Sequence, residues 1–232
     1  IGMDDDLDAY KVVIAPMLYM VTDDVAKRLE AFVRNGGIFV TTFFSGIVNE
    51  TNLCHLGGFP GPLRPLMGVW AEEADTLYEG TSVGITAVDG NPARLSGTYS
   101  AIEWCDLIHA ESADVLATYA SEFYAGRPAA TVNHVGNGQA CYIAARTDER
   151  FNDDFYCHVA ETADVSPLLS PPLPLGVTVQ HRTNGEEEFL FLLNFTREPK
   201  AVDLGDVSGT DMLSGEPATG KVALDSYGAR VL

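Results

Sequence analysis

Carboxylates and thiols are the side chains of this sequence that could do chemistry, so their types and spacing come first. With 33 acidic residues among 232, a general acid and a nucleophile of glycosidase type are available by number alone. Such a pair must stand on rigid elements facing one pocket, about 5–5.5 Å apart in a retaining enzyme. Glu72-Glu73 and Glu186-Glu187-Glu188 fall on polar stretches and read as solvated charge. Glu103, beside Trp104 on an alternating segment, is the one acid whose setting points to a raised pKa. Alternation nevertheless puts it on the solvent side of a strand. Cys54-His55 and Cys157-His158 are adjacent pairs without the C-x2-C or H-x3-H spacing that presents ligands to one zinc ion. The four cysteines therefore read as buried free thiols, with no metal and no cofactor expected. Ser45-Gly46 invites comparison with a nucleophile elbow, but Phe43 and Phe44 precede the serine where G-x-S-x-G needs glycine. The residues alone thus identify no active site.

The element that must position anything here is Tyr10–Thr42. Val12-Val13-Ile14-Ala15 is a continuous apolar run that suits a strand buried on both faces. Thr22 caps a helix whose first turn holds Asp23 and Asp24. Val25, Leu29, Phe32 and Val33 form its apolar face, Asn35-Gly36-Gly37 ends it, and Ile38–Thr42 is a second strand. This is a βαβ unit. The loop that follows leaves the C-terminal edge of a strand, where open α/β sheets place ligands. Phe43, Phe44 and Ile47 in that loop suit the centre of an oligomer interface.

Beyond it, Val69–Gly84 has no clear pattern. Tyr99–Cys105, Val115–Ala120, and 129–135 with 139–144 around Gly136-Asn137-Gly138 read as strands, the last two as a hairpin. A helix is expected over Phe151–Ala163, capped by Asn152 or Asp153. Four prolines in Ser166–Pro174 mark a semi-rigid linker. The division is therefore 1–165, an α/β domain, and 173–232, a small antiparallel β-sandwich built from segments at 177–182, 189–195, 202–204, 211–213, 221–224 and 229–232.

The net charge of −19 disfavours nucleic acid or anionic membrane as partner. No apolar run approaches the roughly 20 residues that span a bilayer, and the reading is cytoplasmic. The first residue, Ile1, fits a cut edge within a longer protein.

Blocks distributed over nearly the whole chain resemble glycoside hydrolase family 42 β-galactosidases. They are Tyr10–Tyr19, Phe32–Gly37, Thr41–Val48, Pro60–Arg64, Asp114–Tyr119, Phe123–Ala129, Gly136–Gly138, Phe191–Phe195, Asp211–Gly215 and Tyr227–Leu232. The resemblance implies a flavodoxin-like or glutamine-amidotransferase-like domain that makes a homotrimer, followed by a C-terminal β-domain. It also implies that both catalytic glutamates lie on an N-terminal barrel that this sequence lacks. No residue here inherits a catalytic role, and the galactoside would be met through the barrel. Two rival readings are an amidotransferase-like enzyme, which needs an activated Cys or Ser, and a carbohydrate-binding module, which needs exposed rings on the C-terminal sheet. Trp70 and Trp104 both lie outside that sheet.

Overall fold

The computed structural model describes residues 5–170 and 172–232; Ile1 and the linker's Pro171 lie outside the described residues. Two compact units divide the chain at Val165/Ser166.

In the first unit β1 (Val12–Ala15) leads through α1 (Asp23–Arg34) to β2 (Ile38–Thr42). A single turn, α2 (Arg64–Met67), follows, then β3 (Val69–Thr76), β4 (Ser82–Ala87), β5 (Thr98–Ala110), β6 (Asp114–Tyr119), β7 (Pro128–Val135), β8 (Gly138–Ile143), β9 (Ala145–Thr147) and α3 (Glu149–Thr162). Among the described residues these strands make one nine-stranded mixed sheet, in the order β1-β2-β8-β7-β6-β4-β5-β3, with β9 on β5. β1, β2 and β8 are parallel, with Val12 opposite Ile38 and Ile38 opposite Gln139. The remaining pairs are antiparallel. Because β9 follows directly on β8 and pairs with β5 at Ala101 and Cys105, the path β8-β7-β6-β4-β5 closes on itself.

The βαβ unit forms for the reasons its residues supply. The Thr22 hydroxyl accepts the Val25 N–H (3.2 Å), and Ala26, Leu29, Phe32 and Val33 are buried. Each large apolar side chain so buried contributes about 1.5–3 kcal/mol. Gly36 takes φ +111, the left-handed region that ends a helix at little cost only for glycine. All five residues of β2 are buried. Phe39 shares one core with Leu29 and Phe32 of α1; Ile38 and Val40 share another with Phe151, Phe155 and Val159 of α3. A parallel strand with helices on both faces is apolar throughout.

β1 is different. It is the edge of the sheet, and Ile14 is 48 % exposed. Its continuous apolar run promised burial on both faces, but on the face opposite Val13 only Val12 is partly covered, against the α3 core, and Ile14 is left open. The α3 cap is also displaced from expectation: Asp148 accepts the Phe151 N–H (2.8 Å), and Asn152 lies one turn inside, bonded to Thr147.

The second unit holds β10 (Val177–Thr183), β11 (Glu188–Asn194), β12 (Lys200–Thr210), β13 (Pro217–Leu224) and β14 (Ala229–Val231). β10-β11-β14 and β12-β13 are two antiparallel sheets that share one core, with Leu192 from one and Val202, Leu204 and Leu224 from the other. The expected strand at 211–213 is a turn instead. The Asp211 side chain accepts the Leu213 N–H and the Ser214 hydroxyl, and such local bonds compete with a ladder.

Candidate oligomer interface

β1, β2 and β8 finish at one edge of the sheet, at Ala15, Thr42 and Ile143. The chain leaving β2 is stitched to the chain leaving β1. Thr42 Oγ1 accepts the Met17 N–H at 2.9 Å, and Ser45 Oγ accepts the Leu18 N–H at 2.9 Å. Ser45 Oγ donates to the Thr42 carbonyl (2.7 Å) and lies 2.8 Å from Thr41 Oγ1. It is fully buried, so it is a turn-former and not a nucleophile. Gly46 follows at φ +62, and a Cβ there would enter the Pro60 carbonyl.

Asp106 of β5 anchors the start of this loop. Its Oδ2 accepts the Phe44 N–H (3.1 Å) and the Tyr142 hydroxyl (2.7 Å), and its Oδ1 accepts the Trp104 indole N–H (2.7 Å). Its own N–H donates to the Ala144 carbonyl (2.6 Å), where β8 passes into β9. Burial pushes its carboxyl above the ordinary value, against the pull of the Tyr142, Trp104 and Phe44 donors. The sequence put Glu103 on the solvent side of its strand, where the structure has it, and did not single out Asp106. Glu103 has φ +61, is exposed and pairs with Arg146. The irregularity there breaks the alternation, and Cys105, Asp106, Leu107 and Ile108 are all buried.

The three expected interface residues line two clefts on either side of Trp104. Phe43 stacks on Trp104 (centroids 6.2 Å) and lines a cleft of about 550 Å³ with Ile143, Arg146 and Tyr156. Phe44, at φ +58, lies edge-on to Trp104 (4.8 Å) and stacks on Tyr19 (5.3 Å). It lines a second cleft of about 180 Å³ with Ile47, Phe59 and Trp104. All three residues are half-buried. Beside them Met17, Tyr19 and Met20 are 48, 41 and 40 % exposed. The surface is an aromatic ridge with Trp104 at its centre.

The thiols divide. Cys105 and Cys141 are buried, and burial pushes them up to about 11 and about 12, opposite to the shift of an activated thiol. Cys54 and Cys157 are exposed, contrary to the expectation of buried thiols. Among the described residues no three His, Cys, Asp or Glu side chains are grouped to hold a metal ion. No helix there is long and apolar enough to cross a membrane.

Comparison with known proteins completes the site's context. The model of the β-galactosidase trimerisation domain matches residues 1–166, and that of the β-galactosidase C-terminal domain matches residues 176–232. β-Galactosidase Pbg of Clostridium perfringens is 47 % identical over the whole chain, and β-galactosidase BglY of Alicyclobacillus acidocaldarius 46 %; the chain covers 34 % of each. Among solved structures, the β-galactosidase of Rahnella sp. R3 superposes over the whole chain and 33 % of its own, with a TM-score of 0.90 and 47 % identity. That of Bacillus circulans sp. alkalophilus does so over 34 % of its own chain, at 0.90 and 43 %. The chain thus spans about a third of the length of these relatives. It belongs to the glycoside hydrolase family 42 β-galactosidases, matching their trimerisation and C-terminal domains.

Proposed function

We propose that this chain is the non-catalytic part of a β-galactosidase and that its direct role is to assemble the enzyme as a homotrimer. The observation that carries the reading is the match of residues 1–166 to a trimerisation domain, joined to the half-exposed ridge of Phe43, Phe44, Ile47, Tyr19 and Trp104. Aromatic side chains concentrate at interface centres because they bury much area at little entropic cost. In the whole protein, terminal β-galactosides would be hydrolysed with retention by a glutamate nucleophile and a glutamate acid/base on a separate barrel. The parallel β1-β2-β8 segment with α1 and α3 supports kinship with flavodoxin-like and amidotransferase-like domains. Residues 1–165 and 173–232 would fold as separate domains, and the enzyme would work in the cytoplasm.

Light scattering tests the assembly. Each copy brings a charge of −19, so association should strengthen as salt screens the repulsion. A strict monomer at high protein and salt concentration would overturn the reading. Phe43→Ser with Phe44→Ser should lower the mass and leave the far-ultraviolet dichroism intact. The chain alone should not hydrolyse a chromogenic β-galactoside; turnover that survives repurification and is lost in Glu103→Gln would refute the non-catalytic assignment.

A further inference from the structure

We propose that the cavity between α3 and the sheet is a binding site for a short-chain alcohol, a molecule with a small apolar body and one hydroxyl. The cavity measures about 90 Å³. Its floor is Leu116 of β6, Val132 of β7 and Cys141 of β8. α3 walls it with Phe155 and Val159, and Ala93, from the loop between β4 and β5, closes the remaining side. All of these side chains are buried. Register lays down the floor, since Val132 stands opposite Cys141 and directly paired residues share a face. The loop wall is equally fixed. The Asn91 side chain donates to the Val88 and Leu95 carbonyls (2.7 and 2.9 Å) and accepts the Leu95 N–H (3.1 Å). Arg94 then joins that loop to Glu161 of α3 (3.5 Å). The site is preformed, as small-molecule sites are.

One polar group interrupts this apolar lining. His158 of α3 lines the cavity, and its Nδ1 is buried with no hydrogen-bond partner among the described residues. Its Nε2 lies 3.3 Å from the Thr162 hydroxyl. Burial lowers the His158 pKa, and Arg94 adds to this against the pull of Glu161, so the ring is neutral at pH 7. A neutral imidazole carries one N–H and one lone pair. Nδ1 is therefore an unpaired acceptor or an unpaired donor, according to the tautomer, and a hydroxyl meets either because it both donates and accepts. The lining excludes the alternatives. A carboxylate or an ammonium would be stripped of water against Leu116, Val132 and Phe155. A hydrocarbon would leave Nδ1 unpaired. A water needs two to four polar partners, which Leu116, Val132, Phe155 and Val159 do not supply. Size sets the rest. An engineered apolar cavity of about 150 Å³ takes benzene, so one of about 90 Å³ suits a body of about two or three carbons.

The test is an NMR titration of the chain with 2-propanol, read at the methyl groups of Leu116, Val132 and Val159 and at the His158 Nδ1 resonance. Saturable shifts are expected at all of them, the Nδ1 resonance moving as its hydrogen bond forms. Xenon, an apolar body without a hydroxyl, reports the cavity alone. His158→Phe keeps a ring in the α3 wall and deletes the hydrogen-bonding nitrogen, so it should weaken 2-propanol about tenfold and leave xenon bound. Ala93→Leu fills the cavity and should abolish both; if it does not fold, His158→Phe judged against xenon decides the matter. Shifts that grow linearly with 2-propanol are solvent effects and overturn the site, as does saturable binding left unaltered by His158→Phe. Binding of xenon without 2-propanol overturns the assignment to an alcohol.

Discussion

Among the described residues two aspartates are buried, one in each unit, and each ties a turn to a strand by different means. Asp106 meets three neutral donors, and its carboxyl is pushed up by burial. Asp211 in the second unit is 3 % exposed. Burial pushes it up as well, but the Ser214 hydroxyl, the Leu213 and Val231 amides and Arg230 together hold it below its ordinary value. Arg230 Nη1 lies 2.9 Å from Asp211 Oδ2. A counter-ion makes a structural acid indifferent to mild acidification, whereas neutral donors leave one that can be discharged. Function is better sought at the second kind.

The change expected to do most is Asp106→Ala. It orphans buried donors at about 1–3 kcal/mol apiece, so the first unit should lose on the order of 3 kcal/mol in urea denaturation. A loss below about 1 kcal/mol would mean that water already serves those donors. Arg230→Met comes next, because it leaves Asp211 held by neutral donors alone, as Asp106 is. We expect a cost of about 1–3 kcal/mol in the second unit, and Asp211 titrating higher by NMR. An unmoved titration would show that the hydroxyl and amide donors alone hold it.

Acid itself should act oppositely on the two. The folded Asp106 carboxyl binds its proton more tightly than the unfolded chain does, so its contribution to stability rises as pH falls through the folded value toward about 3.9. The depressed Asp211 contributes stability that is present above about 3.9 and lost as pH falls further. Hydrogen exchange read separately over the two units should show the first protected by mild acid and the second weakened only below that. Equal responses would remove the distinction. The smallest effect should come from cutting between the units. Limited proteolysis should nick within Ser166–Pro174 and release a piece beginning near Leu173, each half keeping its own melt. Cuts concentrated in Val12–Val40 would contradict two separate domains.

Local rules made much of the frame legible. The Thr22 cap, the apolar face of α1, the Gly36 stop, the turn at Gly136-Asn137 and the buried Phe155 and Val159 of α3 all follow from residue type and period. Long-range geometry hid the remainder. β3 carries an irregularity between Ala71 and Glu73, which erased its alternation. β1 has the composition of a central strand and lies at an edge, since composition does not say which strands pair. Asp106 escaped notice because sheet closure, a contact between β9 and β5, buries both faces of the strand just where alternation would leave one wet. Phe43, Phe44 and Ile47 were singled out from their loop, but the Trp104 that packs on both rings was not, because it comes from β5.

The pairing of β2 with β8 also sets a timetable for synthesis. Roughly a hundred residues separate these neighbours, and a ribosome adding 5–20 residues per second needs ~5–20 s to make them. During that interval β1, α1 and β2 are available, but the strand that completes their parallel sheet is not. The apolar face that β2 will share with α3 stands open for the same time, since α3 is made last of all in this unit. Nascent chains of this protein therefore pass through a stage with an unpaired β2 rim, at which a holding chaperone on the ribosome would find its substrate.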